Sequence, residues 1–143
     1  MKILVPGGAG YTGSVLVENL VHKGFDVTVV DLFHFSENTL NHILYFDNFE
    51  ILRKDVRSLE KKFLQKFDCI IPLSAIVGAP ACNLYFQEAT SINRDSIKMI
   101  CENISDNQLL IYPTTNSGYG ATSGDMYCDE LTPLNPISHY GIL

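Results

Sequence analysis

The chain has 143 residues, 46% of them hydrophobic and 18% charged, with a formal net charge of -6. These values are typical of one globular domain and exclude a disordered chain. Because no Lys/Arg stripe is present, we expect no nucleic-acid partner, although backbone N–H groups could still bind a small anion. No apolar run reaches the roughly 18 residues of a membrane span, and no secretion signal is visible. We therefore predict a cytoplasmic protein without a membrane partner.

Four cysteines and four histidines are spread along the sequence. No two cysteines form a C-x-x-C pair, whereas the ligands of tetrahedral zinc sites are usually clustered. We therefore predict no metal site. Cys69 lies in an apolar strand pattern and Cys101 in a helical pattern, so both thiols are expected to be buried.

Short apolar runs alternate with helical patterns along the whole chain. Strands are expected at residues 2–5, 27–30, 49–52, 69–73 and 109–112. A first helix from Gly13 places apolar residues on one face and ends at Gly24. A long fourth helix lies between the last two strands, weaker helices are expected at 37–46 and 59–66, and residues 118–143 are expected to form a surface loop that leads into another helix.

The apolar character of the strands predicts the fold class. Nearly continuous apolar strands are buried on both faces, which indicates a parallel sheet covered by helices. Right-handed crossovers then give an α/β, doubly wound, Rossmann-type sheet with the strand order 3-2-1-4-5.

The first strand is followed by the glycine-rich segment GGAGYTG, residues 7–13. Gly7 permits a tight turn, Gly10 lets a pyrophosphate approach the backbone, and Gly13 lets helix and strand pack closely. The helix that follows offers free N–H donors to phosphates. Asp31 ends the second strand, where a carboxylate accepts hydrogen bonds from the adenosine ribose and repels a 2′-phosphate. No arginine occurs at 32–35, so NAD is favoured over NADP; a purely structural turn is the alternative.

The spacing G-x-x-G-x-x-G resembles that of the extended short-chain dehydrogenase/reductase family, the NAD-dependent nucleotide-sugar epimerases and dehydratases. The resemblance implies NAD as the cofactor and a nucleotide-sugar as the substrate. It implies that the cofactor is bound by Gly7, Gly10, Tyr11, Thr12, Gly13, Asp31, Asp55, Val56, Leu73, Ser74, Ala75, Asn93 and Tyr140. The acid of the Asp55-Val56 pair would meet the adenine amino group, although a helix cap is the alternative. The small residues after Leu73 would let the cofactor lie close to the sheet edge.

The segment YPTTNSGYG, residues 112–120, resembles the Ser/Thr-rich stretch of the same family that ends in Tyr-Gly. The resemblance implies that Thr115 and Tyr140 are catalytic, with Tyr140 as the tyrosine of a Tyr-x-x-x-Lys motif. A free tyrosine ionises only near pH ~10, so a base of this kind needs a neighbouring positive charge. Family 4,6-dehydratases carry Asp-Glu where this chain has Asn116-Ser117, which favours epimerase or dehydrogenase chemistry.

The lysine of that motif would stand directly after Leu143, and family members continue with a last strand and a substrate-binding region. Residues 1–143 are therefore expected to be an incomplete NAD-binding domain that binds NAD weakly and has no turnover. The resemblance also implies a homodimer formed through the fourth helix. The alternative function is a non-catalytic NAD-binding sensor or scaffold, which would need neither Thr115 nor Tyr140. An ATP- or flavin-binding domain is disfavoured by the glycine spacing and by Asp31.

Overall fold

Five parallel strands form one sheet in the part of the chain that the computed structural model describes, residues 1–121 and 127–143. They are β1 (Lys2–Pro6), β2 (Asp26–Asp31), β3 (Phe49–Arg53), β4 (Cys69–Ile70) and β5 (Leu109–Leu110). Their order in the sheet is β3-β2-β1-β4-β5, and every neighbouring pair is parallel. The predicted Rossmann-type sheet is therefore confirmed.

The last two strands are shorter than predicted, but their backbone hydrogen bonds continue past the regular region. The N–H of Leu73 donates to the carbonyl of Pro6 at 2.7 Å, and the N–H of Ile111 donates to the carbonyl of Ile70 at 3.0 Å. The carboxyl ends of β1 and β4 consequently lie side by side. Cys69 is buried in β4, as predicted.

Helices cover both faces of this sheet. Within the described residues they are α1 (Tyr11–His22), α2 (Lys61–Leu64), α3 (Ala79–Leu84), α4 (Phe86–Ala89), α5 (Ser96–Asn103) and α6 (His139–Ile142). Val17 of α1 is buried in the cluster on one face, whereas Leu64 of α2 and Ile100 of α5 belong to the cluster on the other. Along β2, Val29 packs in the first cluster and Val30 in the second, since successive strand residues point to opposite faces.

Two of the weaker helices are much shorter than predicted. Residues 37–46 contain a single 3-10 turn, Asn41–Ile43, and α2 occupies only the middle of residues 59–66. In the first segment, Ser36 Oγ accepts from the N–H of Asn38 at 3.3 Å, and Asn38 Oδ1 accepts from the side chain of Asn41 at 2.9 Å. These local side-chain bonds stabilise turns in competition with a helix.

The predicted long fourth helix is interrupted, and we call residues 79–103 the fourth crossover. Tyr85 leaves helical geometry between α3 and α4, with φ -111° and ψ 51°, and Thr90–Asp95 form a π-helical turn. Such turns inside helices often occur at functional sites. The prediction of a buried Cys101 was wrong: Ile100 occupies the inward position, so the next side chain on α5 is exposed.

The chain after β5 forms a 3-10 turn, Asn116–Tyr119, and ends in α6. Residues 122–126 of the predicted loop lie outside the described residues. The N–H of Asn135 donates to the carbonyl of Gly118 at 3.0 Å, which ties the segment before α6 to this turn. No helix in the described part of the chain combines the length and the apolar character that a membrane crossing requires.

Candidate cofactor-binding and active site

The glycine-rich loop lies between the ends of β2 and β4, without room for a side chain at two positions. Gly7 has φ +78°, and its N–H donates to the carbonyl of Val30 at 2.7 Å. A Cβ on Gly7 would lie 2.4 Å from the backbone nitrogen of Ser74. A Cβ on Gly13 would lie 2.6 Å from the carbonyl oxygen of Gly8, because α1 begins directly against the loop. Glycine is therefore required at both positions by the backbone itself.

The start of α1 is open to solvent. Gly10 is its N-cap and provides no side-chain cap, and both Tyr11 and Thr12 are exposed. The first N–H groups of a helix have no partner within the helix, and its dipole adds positive potential there. The loop and the first turn of α1 thus form a cradle that suits a pyrophosphate.

Asp31 links this cradle to the end of β2. Its Oδ2 accepts from the N–H of Ala9 at 3.0 Å, and its Oδ1 accepts from the N–H of Phe33 at 2.8 Å. The second bond stabilises Phe33 at φ +58°, a conformation that bulky side chains rarely adopt. A carboxylate oxygen can accept more than one hydrogen bond, so both oxygens retain capacity for a ribose hydroxyl.

Asp55 follows β3 at the same edge of the sheet and is held by Arg57, a residue that the sequence analysis did not single out. Arg57 Nε donates to Asp55 Oδ1 at 3.0 Å, while its Nη1 donates to Ser91 Oγ at 2.9 Å. The side-chain bond to Arg57 is the main reason why the pKa of Asp55 is lowered, although burial opposes it. Asp55 also caps the following turn and Val56 is buried there, so the cap predicted as an alternative is present.

Asn93 fixes the segment after β4. Its Nδ2 donates to the carbonyl of Ile76 at 2.8 Å, and its Oδ1 accepts from the N–H of the same residue at 2.9 Å. Asn93 is buried within the π-helical turn, and this pair of bonds commits its amide to the backbone. The neighbouring Ser74 is half-buried and Ala75 is exposed, so the strand end remains accessible beside the glycine-rich loop.

Thr115 and Tyr140 lie on two segments that touch each other. Thr115 caps the 3-10 turn, with its Oγ1 accepting from the N–H of Ser117 at 3.2 Å and donating to Ser117 Oγ at 3.2 Å. A Cβ on Gly141 would lie 2.5 Å from the carbonyl oxygen of Ser117, so α6 packs directly on this turn. Among the described residues, no hydrogen bond joins the Thr115 and Tyr140 side chains.

Aromatic residues surround the start of α6. The ring of His139 stacks on Phe86 with centroids 3.7 Å apart, and its Nε2 lies 3.0 Å from Thr90 Oγ1. Burial raises the pKa of Tyr112, and the charges that nearby Tyr140 and Cys101 would carry raise it further. The end of β5, the fourth crossover and α6 therefore meet around Tyr140.

The predicted site residues are consequently distributed along one edge of the sheet. They follow the carboxyl ends of all five strands, which is the edge where doubly wound sheets bind ligands. Arg57 could have been noticed from the sequence, since it lies two residues after Asp55 in a turn. Within residues 1–121 and 127–143, no cluster of three His, Cys, Asp or Glu side chains could hold a metal ion.

Comparison with known proteins gives a consistent assignment. The model of the NAD dependent epimerase/dehydratase family matches residues 3–143. An uncharacterized UDP-glucose epimerase of Bacillus subtilis is 28% identical over 153 residues, which represent 99% of this chain and 48% of that protein. A probable dTDP-glucose 4,6-dehydratase of Sinorhizobium fredii is 28% identical over 157 residues, 98% of this chain and 45% of that protein.

A solved structure shares the fold and contains ligands. It is a variant of UDP-glucuronic acid 4-epimerase from Bacillus cereus in complex with UDP-4-deoxy-4-fluoro-glucuronic acid and NAD. The TM-score is 0.88 at 27% sequence identity, and the match covers 99% of this chain and 48% of that chain. The chain thus spans about half the length of the relatives it matches.

The close approach of backbone to Gly7 should make this position more sensitive to substitution than other glycines with a positive φ. Gly24 also has a positive φ, +80°, but a Cβ there would meet no atom within 4 Å. Gly24→Ala should therefore lower the free energy of unfolding by about 1–2 kcal/mol, the cost of the backbone conformation alone. Gly7→Ala should lower it by about 2–5 kcal/mol, because the new Cβ must also displace the backbone of Ser74. Urea denaturation of both variants measures this, and equal losses would contradict the close approach.

The ion pair between Asp55 and Arg57 should make the free energy of unfolding depend on pH. In the folded state the pKa of Asp55 lies below the unfolded value of about 3.9. The contribution of the ion pair to stability is therefore complete above roughly pH 5, and it is lost as the pH falls through the lowered pKa of Asp55. The difference in unfolding free energy between the wild type and Asp55→Asn should shrink over that interval. In an Arg57→Gln background the shrinkage should be smaller. A difference that stays constant in urea titrations from about pH 3 to 7 would contradict the prediction.

Proposed function

Because this chain belongs to the NAD-dependent epimerase/dehydratase family, we propose that it forms the NAD-binding half of an oxidoreductase that acts on a nucleotide-linked sugar. The observation that carries the proposal is the hydrogen bond from the N–H of Ala9 to Asp31. It makes the phosphate cradle and the predicted ribose-binding carboxylate one continuous surface. The backbone crowding at Gly7 and Gly13 supports the same conclusion, because it keeps side chains out of the cradle.

The other strand ends complete the proposed cofactor site. Asp55, held by Arg57, would accept a hydrogen bond from the adenine amino group in place of the longer of the two bonds that Arg57 donates to its Oδ2. The backbone from Leu73 to Ala75 would border the nicotinamide half, and Asn93 would act by fixing Ile76 behind it. We therefore assign Asn93 a positioning role in this proposal.

The proposed chemistry uses Thr115 and Tyr140. A bound NAD supplies the acceptor and donor of hydride. Thr115 Oγ1 would donate a hydrogen bond to the reacting sugar oxygen in place of its bond to Ser117 Oγ, and the phenolic oxygen of Tyr140 would take the proton of that hydroxyl. The contact between Gly141 and Ser117 supports this division of roles, because it holds the two segments against each other. The relatives include an epimerase and a dehydratase, and Asn116-Ser117 favours epimerase chemistry here.

We also propose that the protein forms a homodimer through the fourth crossover. Leu84, Tyr85 and Phe86 are exposed on the fourth crossover, where the family resemblance places a subunit contact. Aromatic side chains are enriched at the centres of subunit interfaces, and homodimer interfaces are more apolar than the rest of a protein surface.

Binding of NADH tests the cofactor site. Asp31→Asn should weaken NADH binding roughly 10- to 100-fold, because one or two charge-assisted hydrogen bonds to the ribose are lost. Asp68→Asn is the matched control, since the Asp68 carboxylate also accepts a hydrogen bond from a distant backbone N–H, that of Lys2 at 2.7 Å, but at the opposite edge of the sheet. Fluorescence titration gives the dissociation constants, with ATP as a competitor. Equal NADH affinity of Asp31→Asn and the wild type would refute the proposed site.

Turnover of a UDP-hexose by the oxidoreductase that contains this proposed NAD-binding half tests the catalytic assignment. Tyr140→Phe retains the ring and removes the phenolic oxygen, so kcat should fall by about 100- to 10,000-fold. NADH affinity should stay close to that of the wild type. Tyr45→Phe, in an exposed ring away from the strand ends, should leave kcat unchanged. Separation of the UDP-sugar products by chromatography measures both, and undiminished turnover of Tyr140→Phe would remove this residue from the mechanism.

A further inference from the structure

The structure brings an arginine to the proposed ribose site that the local sequence after Asp31 does not contain. Arg53 ends β3, and Asp31 and Arg53 are register partners in the parallel pair of β2 and β3. Val29 and Ile51, two residues earlier, pack in the same cluster. Because strand side chains alternate between faces, Asp31 and Arg53 also share one face of the sheet. A cation therefore lies next to the carboxylate that the proposed function assigns to the ribose.

These two opposite charges are not paired with each other. The Asp31 oxygens accept from backbone N–H groups, whereas Arg53 Nη1 lies 2.8 Å from Glu37 Oε1. Arg53 Nη2 donates to the carbonyl of Leu32 at 3.4 Å, and the guanidinium carbon lies 5.7 Å from the ring centroid of Phe33. Arg53 is thus kept along the loop that directly follows Asp31, and Glu37 is the group that neutralises it.

From this arrangement we infer that Glu37 is a specificity-determining residue, which favours NAD over NADP by occupying Arg53. The inference rests on the proposed function, since it concerns the adenosine end of the same cofactor site. NADP differs from NAD by a phosphate on the 2′-oxygen of that ribose, and a nearby arginine accommodates this phosphate because its guanidinium can bind two phosphate oxygens at once. With Glu37 present, Asp31 and Glu37 together outnumber the one guanidinium. A dianionic 2′-phosphate would then meet net negative charge.

Removal of the Glu37 charge changes that balance. Arg53 would keep its contacts to Leu32 and Phe33, and its Nη1 would become available to a phosphate oxygen. Lys54 does not replace it, because the Lys54 ammonium lies over the Phe63 ring, which packs against the opposite face of the sheet. The pair of Glu37 and Arg53 is largely exposed, with 66% and 62% of the side chains accessible. Exposed pairs contribute little to stability, so Glu37→Gln should change ligand selectivity without unfolding the protein.

The experiment measures dissociation constants for NADH and NADPH by fluorescence titration, and those of ADP and 2′,5′-ADP by competition. Glu37→Gln should bind NADPH and 2′,5′-ADP about fivefold more tightly than the wild type, with NADH and ADP nearly unchanged. The gain should diminish at about 0.5 M salt, because exposed charges are screened there. Thermal unfolding of each variant confirms that the fold is retained.

Two further variants separate the inferred role from a general charge effect. Glu102→Gln removes a carboxylate from another exposed pair, with Lys98 at 3.9 Å on α5, and should leave the ratio of NADPH to NADH affinity unchanged. The double variant Glu37→Gln/Arg53→Gln should lose the gain, since the guanidinium is absent. An unchanged ratio in Glu37→Gln, or a gain that persists in the double variant, would overturn the inference while NADH binding by the wild type still supports the proposed function. A wild type that binds neither dinucleotide would overturn both.

Discussion

The close approach of the glycine-rich loop to the ends of two strands is the constraint on which the rest of the site depends. The N–H of Gly7 bonds to the carbonyl of Val30, and the space where its Cβ would stand is filled by the backbone of Ser74. A parallel sheet places the carboxyl ends of β2, β1 and β4 side by side, so one turn can contact all three. The proposed phosphate cradle, Asp31 and the segment after β4 are neighbours because no side chain separates them.

The fourth crossover connects these strand ends with the segments that contain the proposed catalytic residues. Asn93 holds the backbone after β4, Ser91 accepts from Arg57 after β3, and Thr90 contacts His139 at the start of α6. All three come from or border the π-helical turn, where the regular helix ladder is widened. A regular α-helix repeats every 3.6 residues, so it would place these neighbouring positions differently around its axis. The interruption that the sequence did not predict therefore connects the ends of two strands, β3 and β4, with the segment that carries Tyr140.

The parts of the fold that depend on hydrophobic periodicity were predictable, and those that depend on polar side chains were not. Continuous apolar strands determined the sheet, since Val29 and Val30 must both be buried, and the strand order followed from the crossover rule. The helix expected at 37–46 is replaced by turns, because Ser36 and Asn38 bond to the local backbone and side chains. A pattern of apolar residues contains no information about such competing bonds.

The same distinction applies to the candidate site. The glycine spacing and Asp31 could be identified locally, because a loop and the strand end beside it obey short-range rules. The charges around the proposed ribose position could not be identified in this way, since Arg53 is brought beside Asp31 only by the register of β3 on β2. A search of the residues after Asp31 finds no arginine, yet the neighbouring strand supplies one and Glu37 neutralises it. If the inferred role of Glu37 is correct, cofactor preference depends on two strands and the loop between them, and a rule that examines only the end of β2 omits both Arg53 and Glu37.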